Sequence, residues 1–279
     1  MPHLPDFRFS AQSLQTYQDC PRRFYLRYIQ KLDWPAVESI PYLAFEEYRQ
    51  KGELFHIYTN QYFKGIAPQD IEKQIKDDDL KQWWGSFLEF IRKQTFSHTS
   101  SEVLFQSSLG NHILVAKFDL LAMHPDGKFT IFDWKTTSGK NRPGREKLSQ
   151  KMQTKIYPYI FCSIGIAFDK REIIPPTKVK LEYWFPQFPD ASEAFPYSTN
   201  QMQNDEVTLL ALMDEIEMNE RDDFVETTEE EPCRFCVYRS YCGRGTQAGN
   251  ILLEKQDADL DLDLGDMDYD FENIEEIAY

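Results

Sequence analysis

Asp133-Trp134-Lys135 closes a short apolar run, Phe129-Thr130-Ile131-Phe132. In an extended strand, side chains i and i+2 share a face and lie about 6.6 Å apart. The Asp133 carboxylate and the Lys135 ammonium therefore point the same way. A second carboxylate, Asp119, ends another apolar run at residues 113–118. A turn centred on Asp126 places Asp119 opposite Asp133 across a hairpin. Two carboxylates as cross-strand neighbours repel, and a divalent cation relieves that repulsion. Hard oxygen ligands suit Mg²⁺ or Mn²⁺. A lysine beside them can stabilise an attacking hydroxide or the charge on a phosphoryl group. The same spacing also suits a surface hairpin carrying an Asp–Lys ion pair.

Cys233, Cys236 and Cys242 form a second cluster, Cys-x-x-Cys-x₅-Cys, in a loop with Pro232, Arg234, Arg239 and Gly243. A thiolate pair at that spacing holds zinc or part of an iron–sulfur cluster. Three thiolates are one short of a four-thiolate site, and Cys20 is the candidate fourth. Such a site would staple the N-terminal helix to the C-terminal loop. Cys162, between Phe161 and Ile164, reads as core. Five cysteines in 279 residues are too few for a disulfide scaffold. In a reducing compartment, clustered cysteines point to metal binding or catalysis instead.

The elements that must position these groups follow from period and punctuation. Residues 10–28 read as helical, with Ser10 or Ser13 as N-cap and a break near Cys20 imposed by Pro21. A helix over 44–63 carries His56. Another spans 69–95, with Trp83, Trp84, Phe87 and Phe90 facing the core. The period then changes to that of strands at 103–109, 112–123 and 128–135. Gly110-Asn111 and Pro125-Asp126-Gly127 supply the turns. A helix over 146–164, interrupted at Pro158, leads to a strand at 179–185 and a helix at 203–219. This order gives an α/β fold with a mixed central sheet flanked by helices.

Charge divides the chain. Lys and Arg number 31 against 46 Asp and Glu, a net charge of −15. Residues 256–279 hold ten of those acids and no Lys or Arg. They read as a solvated acidic tail, separate from a domain over 1–255. Residues 135–155 are instead basic, with seven Lys or Arg and one acid, Glu146. Overall acidity argues against nonspecific nucleic-acid binding, but this segment allows a local phosphate-binding groove lined by Lys140, Arg142, Arg145, Lys147 and Lys151. A hydrophobic content of 41% and an aromatic content of 15% exclude a disordered chain. No apolar stretch suits a membrane helix or a signal peptide, so a cytoplasmic location is expected.

An Asp on one strand followed by Asp-x-Lys at the end of the next resembles the core of the PD-(D/E)XK nuclease superfamily. The likeness is greatest to its RecB-like branch. Gly52-Glu53-Leu54-Phe55-His56 looks like that branch's Gly-x-x-x-His helix. Lys117-Phe118-Asp119-Leu120-Leu121 looks like its Asp-bearing strand, with Ala116 where glycine is usual. Gln153-Thr154-Lys155-Ile156-Tyr157 matches its Gln-x-x-x-Tyr motif, and Cys20-Pro21-Arg22-Arg23-Phe24 looks like the N-terminal motif of its iron–sulfur members. These motifs occur in the family's order across residues 10–243.

The resemblance implies a restriction-endonuclease-like fold whose two ends are joined by a four-cysteine metal cluster. It implies that His56, Asp119, Asp133 and the Trp134 carbonyl hold Mg²⁺ or Mn²⁺, and that Lys135 orients or activates water. Gln153 and Tyr157 would stand beside the site. Cys20, Cys233, Cys236 and Cys242 would ligate a 4Fe–4S cluster, with a four-cysteine zinc site as the alternative. The expected activity is a metal-dependent deoxyribonuclease acting on single-stranded or end-bearing DNA in repair, recombination or CRISPR-type processing, beside other proteins of those systems. The alternatives are a non-catalytic DNA-binding or scaffold subunit of a nuclease complex and a zinc-stabilised interaction module.

Overall fold

The computed structural model describes residues 7–34, 40–137, 141–167, 170–171 and 174–245. Lys140 and the acidic tail at 256–279 lie outside the described residues. In chain order the elements are β1 (Arg8–Phe9), α1 (Ala11–Asp19), α2 (Pro21–Phe24), α3 (Ile40–Phe63), α4 (Pro68–Glu72), α5 (Asp78–Arg92), β2 (His98–Leu109), β3 (His112–Met123), β4 (Phe129–Trp134), α6 (Arg145–Gln150), α7 (Met152–Ile164), β5 (Ile166–Ala167), β6 (Lys170–Arg171), β7 (Val179–Trp184), β8 (Glu193–Pro196) and α8 (Thr199–Met218).

Local chemistry explains most of the boundaries. Ser10 and Ser13 cap α1 reciprocally, side chain to backbone. Pro21 starts α2, where its missing N–H costs nothing, and a π-helical turn continues that helix through Ile29. The single helix expected over 69–95 is two, α4 and α5, because Asp77 caps α5 by accepting from the Leu80 amide. The helix expected over 146–164 is also two, and it breaks at Lys151, not at Pro158. Lys151 has extended backbone, with ψ 140°, while Pro158 lies inside α7. Nearly every α7 residue from Met152 to Cys162 is buried, and that packing outweighs one lost helical hydrogen bond.

The main sheet runs β1-β3-β4-β7-β8, with β2 also paired to β3. β2 lines one edge of β3 along its whole length, antiparallel. The other edge is shared. β1 pairs in parallel with Ile113 and Leu114, and β4 pairs antiparallel with Leu120 through Met123. Residues 115–119 of β3 therefore lie between two neighbours, and Asp119 sits at the mouth of that gap. The β3–β4 register, with Leu120 opposite Phe132, is the one a turn centred on Asp126 requires. β4 and β7 are parallel, joined through α6 and α7, so the sheet is mixed. β1 and β8 are too short to stand out in the sequence.

Two cores flank the sheet. α1, α7 and α8 cover one face over Leu14, Phe118, Tyr157, Phe161, Leu181 and Leu209. α3 and α5 cover the other over Phe55, Trp84, Phe87, Phe132, Trp134 and Trp184. β3 changes sides at Asp119. Leu114, Ala116 and Phe118 face the first core, whereas Leu120 and Ala122 face the second. β2 makes the same switch opposite. Ser101 bonds Asn60 on α3, while Phe105 packs on the first core. Between them stands Glu102, with φ +55°. No helix among the described residues is long and apolar enough to cross a membrane.

Candidate active site

His56 lies on the buried side of α3 and directs Nδ1 to Asp119 Oδ1 at 3.1 Å. The second oxygen of Asp119 accepts the Trp134 backbone N–H at 2.6 Å. One carboxylate thus ties α3 to β4 where the β3–β4 ladder stops. Asp133 and Lys135 follow on the same side of the chain, with Lys135 Nζ 3.2 Å from Asp133 Oδ2. Lys135 is only 1% exposed and Asp133 only 2%. The Lys135 ammonium also lies 5.8 Å from the centre of the Tyr183 ring, and Tyr183 is the β7 partner of Asp133. Burial opposes a charge on His56. Asp119, by charge and hydrogen bond, with Glu102 and Asp133 behind it, overcomes this and raises the imidazole pKa to about 9.

Gln153 and Tyr157, one turn apart on α7, bond to each other, Gln153 Nε2 donating to Tyr157 Oη at 3.2 Å. Tyr157 packs on Phe118, the neighbour of Asp119, with ring centres 5.1 Å apart. The pair therefore backs the site from the α7 side. Of the basic residues expected to hold DNA, Arg142 and Arg145 both pair with Glu193 on β8. Arg145 also lies over the Phe195 ring at 4.5 Å. Lys147 stands on α6, and Lys151 occupies the break before α7.

Glu102 is the residue that strand periodicity misses. β2 was expected to begin at Val103, leaving Glu102 just ahead of it, but the strand begins at His98. Glu102 and Asp119 fall at the step the ladder skips, between the pairs Ser101–Leu120 and Val103–Phe118, and Glu102 forms an ion pair with Lys117. Burial first, then the charge of Asp119, raises its carboxyl pKa above the ordinary value against the pull of Lys117 and His56. His56, Glu102 and Asp119 offer ligand atoms within 4.8 Å of one another. His56 Nε2 is buried with no hydrogen-bond partner among the described residues. An imidazole and several carboxylate oxygens, partly unsatisfied and shielded from water, fit a hard divalent cation.

The cysteines are all free thiols. Cys20 is buried at the junction of α1 and α2. Cys233, Cys236 and Cys242 lie half-buried on tight turns opposite it. Burial raises the Cys236 pKa against the pull of Arg23, with Cys233 and Cys20 adding to the rise. Burial and then Glu226 bring Cys242 to about 12, with smaller contributions from Cys236 and Cys20. The four thiols thus feel one another. Among the described residues, however, their sulfurs do not form a group converging within 4.8 Å. Cys162 is core, and burial lifts it to about 12.

A family model described as the PD-(D/E)XK nuclease superfamily matches residues 8–243. No curated protein matches the sequence. Solved structures that resemble the chain include the protein SSO0001, at 19% identity with a TM-score of 0.42, covering 86% of this chain and 87% of its own. A candidate exonuclease of Eubacterium rectale matches at 10% identity with a TM-score of 0.42, covering 75% of this chain and 81% of its own.

Proposed function

Because the chain belongs to the PD-(D/E)XK nuclease superfamily, we propose that it is a metal-dependent deoxyribonuclease of the RecB-like branch, working on single-stranded or end-bearing DNA in the cytoplasm. One observation carries the reading. Asp119 joins His56 to the Trp134 amide and so brings Asp133 and Lys135 beside it in one buried, polar cluster. His56, Asp119, Asp133 and the Trp134 carbonyl would hold the cation. When bound, a divalent cation supplies Lewis-acid charge to the scissile phosphate and its attacking water.

The protein's own groups do the rest. The Lys135 ammonium donates hydrogen bonds toward the attacking oxygen and offsets charge developing on the phosphoryl group. Asp133 keeps that ammonium in place, with the Tyr183 ring beside it. Tyr157 and Gln153 hold the strand ends from behind. Burial of the whole set strengthens each electrostatic interaction relative to water. Lys147 and Lys151 lie along the entry to α7, where a phosphate chain would pass. Arg142 and Arg145 would join them on exchanging Glu193 for phosphate.

We assign Cys20, Cys233, Cys236 and Cys242 to a 4Fe–4S cluster. A mononuclear zinc site with Zn–S bonds near 2.3 Å brings its sulfurs to roughly 3.8 Å from one another. An iron–sulfur cube gives each thiolate its own iron and spreads the sulfurs further apart. A four-cysteine zinc site is the alternative, and metal analysis of the purified protein separates the two.

The test is cleavage of labelled single- and double-stranded DNA, with free or blocked ends, in Mg²⁺ or Mn²⁺. Mononucleotide or short-oligonucleotide release from free ends, abolished by chelation, is the expected result. DNA left uncut under every condition would support a non-catalytic subunit instead.

A further inference from the structure

Resting on the nuclease reading above, we propose that Arg142 and Arg145 form a seat for one particular backbone phosphate, a few nucleotides from the one that is cut. Glu193 occupies this seat as an internal competitor and so sets how tightly the strand is held.

The seat is built around an anion. Arg142 Nη2 donates to Glu193 Oε1 at 2.7 Å and Arg145 Nη1 donates to Glu193 Oε2 at 3.0 Å, so two guanidiniums close on the two oxygens of one carboxylate. Phosphate oxygens accept from guanidiniums in the same way. Burial opposes the charge on Glu193, but the two arginines outweigh it and hold its pKa below the ordinary carboxylate value, so the occupant is an anion at neutral pH. The Arg145 side chain is 55% exposed, whereas that of Glu193 is 17% exposed. A phosphate arriving from solvent therefore meets Arg145 first. An ion pair this open contributes little to stability, so exchanging carboxylate for phosphate costs the fold little. Arg145 also donates to the Ala194 carbonyl, a bond that can hold α6 against β8 during the exchange.

The seat stands in line with the cleavage groups. Asp133 pairs with Tyr183 across β4 and β7, and Tyr183 pairs with Glu193 across β7 and β8. Paired positions share a face of the sheet. Strands lie about 4.8 Å apart, which puts the Glu193 backbone roughly 10 Å from that of Asp133 along one row. Side chains fill the row. Lys135 stands over the Tyr183 ring at 5.8 Å, the Tyr183 and Phe195 ring centres are 5.8 Å apart, and Arg145 lies over Phe195 at 4.5 Å. A stacked strand advances roughly 3.4 Å per nucleotide, so the row spans about three nucleotides, and fewer of an extended strand. A plain anchor between α6 and β8 would serve at any level of that edge strand, but this one stands at the level of Asp133.

The full chain is titrated in EDTA, over a range of salt, onto a fluorescein-labelled single-stranded oligonucleotide, and anisotropy reads the affinity. Glu193→Gln should bind several-fold tighter than wild type, because the competing charge is gone. Arg142→Gln and Arg145→Gln should bind more weakly, with the slope of log affinity against log salt reduced by about 0.7, the value for one phosphate contact on a single strand. A second readout is positional. Oligonucleotides carrying one uncharged methylphosphonate linkage at successive positions are cleaved with Mn²⁺. A linkage about two or three nucleotides from the cut should slow wild-type cleavage about 10-fold and have little further effect in Arg142→Gln.

If Glu193 and the arginines only fasten α6 to β8, all three variants lose thermal stability while oligonucleotide affinity and the positional pattern stay as in wild type. That result overturns the proposal alone. Should Glu193→Gln fail to fold, Arg145→Gln, which alters a side chain more than half exposed, still decides through the salt slope and the positional pattern. Wild-type protein that binds the oligonucleotide with this arginine dependence but cuts nothing would bring down the nuclease reading and leave the seat standing. Wild-type protein that binds no oligonucleotide brings down both.

Discussion

Asp133 and Lys135 are among the most buried charged groups in the protein, and each makes the other tolerable. Removing one partner of a buried ion pair leaves an uncompensated charge, typically at about 3 kcal/mol or more. Asp133→Asn should therefore act twice. Metal-dependent cleavage should fall by roughly 10²-fold or more, as for other losses of transition-state charge stabilisation. Stability in a denaturant titration should fall by about 3 kcal/mol, with part of the loss returned by adding Lys135→Met. Undiminished cleavage by folded Asp133→Asn would exclude it from the catalytic group. These two residues were legible in the sequence because a strand's period is local and needs only i and i+2. The turn at Pro125-Asp126-Gly127 then set Leu120 opposite Phe132 and left Asp119 at the end of the ladder, where it accepts the Trp134 amide. Glu102, which the sequence offers as an extra acidic candidate just ahead of a strand but gives no reason to place in the site, was harder to position, since its place depends on one left-handed residue and on two strands changing sides together. Nothing in the composition of that stretch announces either event.

At the scale of elements, sequence reading located helices better than their breaks. Two of the helices it expected are divided: residues 73–77 separate α4 from α5, and Lys151 alone separates α6 from α7. At α5 the divider is Asp77, whose carboxylate caps the helix and pairs with Lys51 on α3. Burial is the largest single influence and opposes the charge, but the Leu80 amide and Lys51 together outweigh it and hold the pKa below the ordinary carboxylate value. The cap therefore contributes fully above the unfolded value near 3.8 and is lost as pH falls through the lowered folded one. Asp77→Ala should cost about 1 kcal/mol at neutral pH. In urea titrations, the gap from wild type should close as pH drops toward 3. A gap that stays constant down to low pH would mean the capping carboxylate contributes nothing. The helix matters to the site because its Trp83, Trp84, Phe87 and Phe90 form the wall against which α3 presents His56. Pro158 misled the placement of the other break because burial along α7 decides that helix, and burial is a property of the fold.

Across the whole molecule, the first and last described segments fasten to each other. The Arg22 amide donates to the Val225 carbonyl, Arg23 donates to the Pro232 carbonyl, Trp34 bonds Ser240, and Tyr238 donates to the Leu32 carbonyl. Tyr17 bonds both Glu215 and Asn219. The four cysteines sit on this seam. Protein purified without added chelator should be brown, with a broad absorbance near 400 nm from thiolate-to-iron charge transfer. Cys20→Ala should bleach it and lower the thermal midpoint, while Mn²⁺ affinity, assigned in the proposed function to the groups around Asp119, should stay unchanged. Colourless protein with one zinc per chain would replace the cluster with a zinc site. The sequence showed the four thiols and their spacing. It did not show the backbone and side-chain bonds around them, which arise only once α1 and α2 have a surface to meet.

That seam also constrains the order in which the molecule can be made. Its side-chain bonds join residues about 200 positions apart, with separations of 198, 202, 206 and 209. Contacts so distant in sequence form late, after the loop-closure entropy of the intervening chain has been overcome. A nascent chain extends α1 and α2 from the ribosome long before their C-terminal partners exist, and Phe24 meets Phe224 only once the residues after α8 emerge. A ribosome stalled before residue 225 therefore displays a cysteine-bearing α1–α2 junction that lacks its C-terminal partners, the kind of surface that chaperones and proteases recognise.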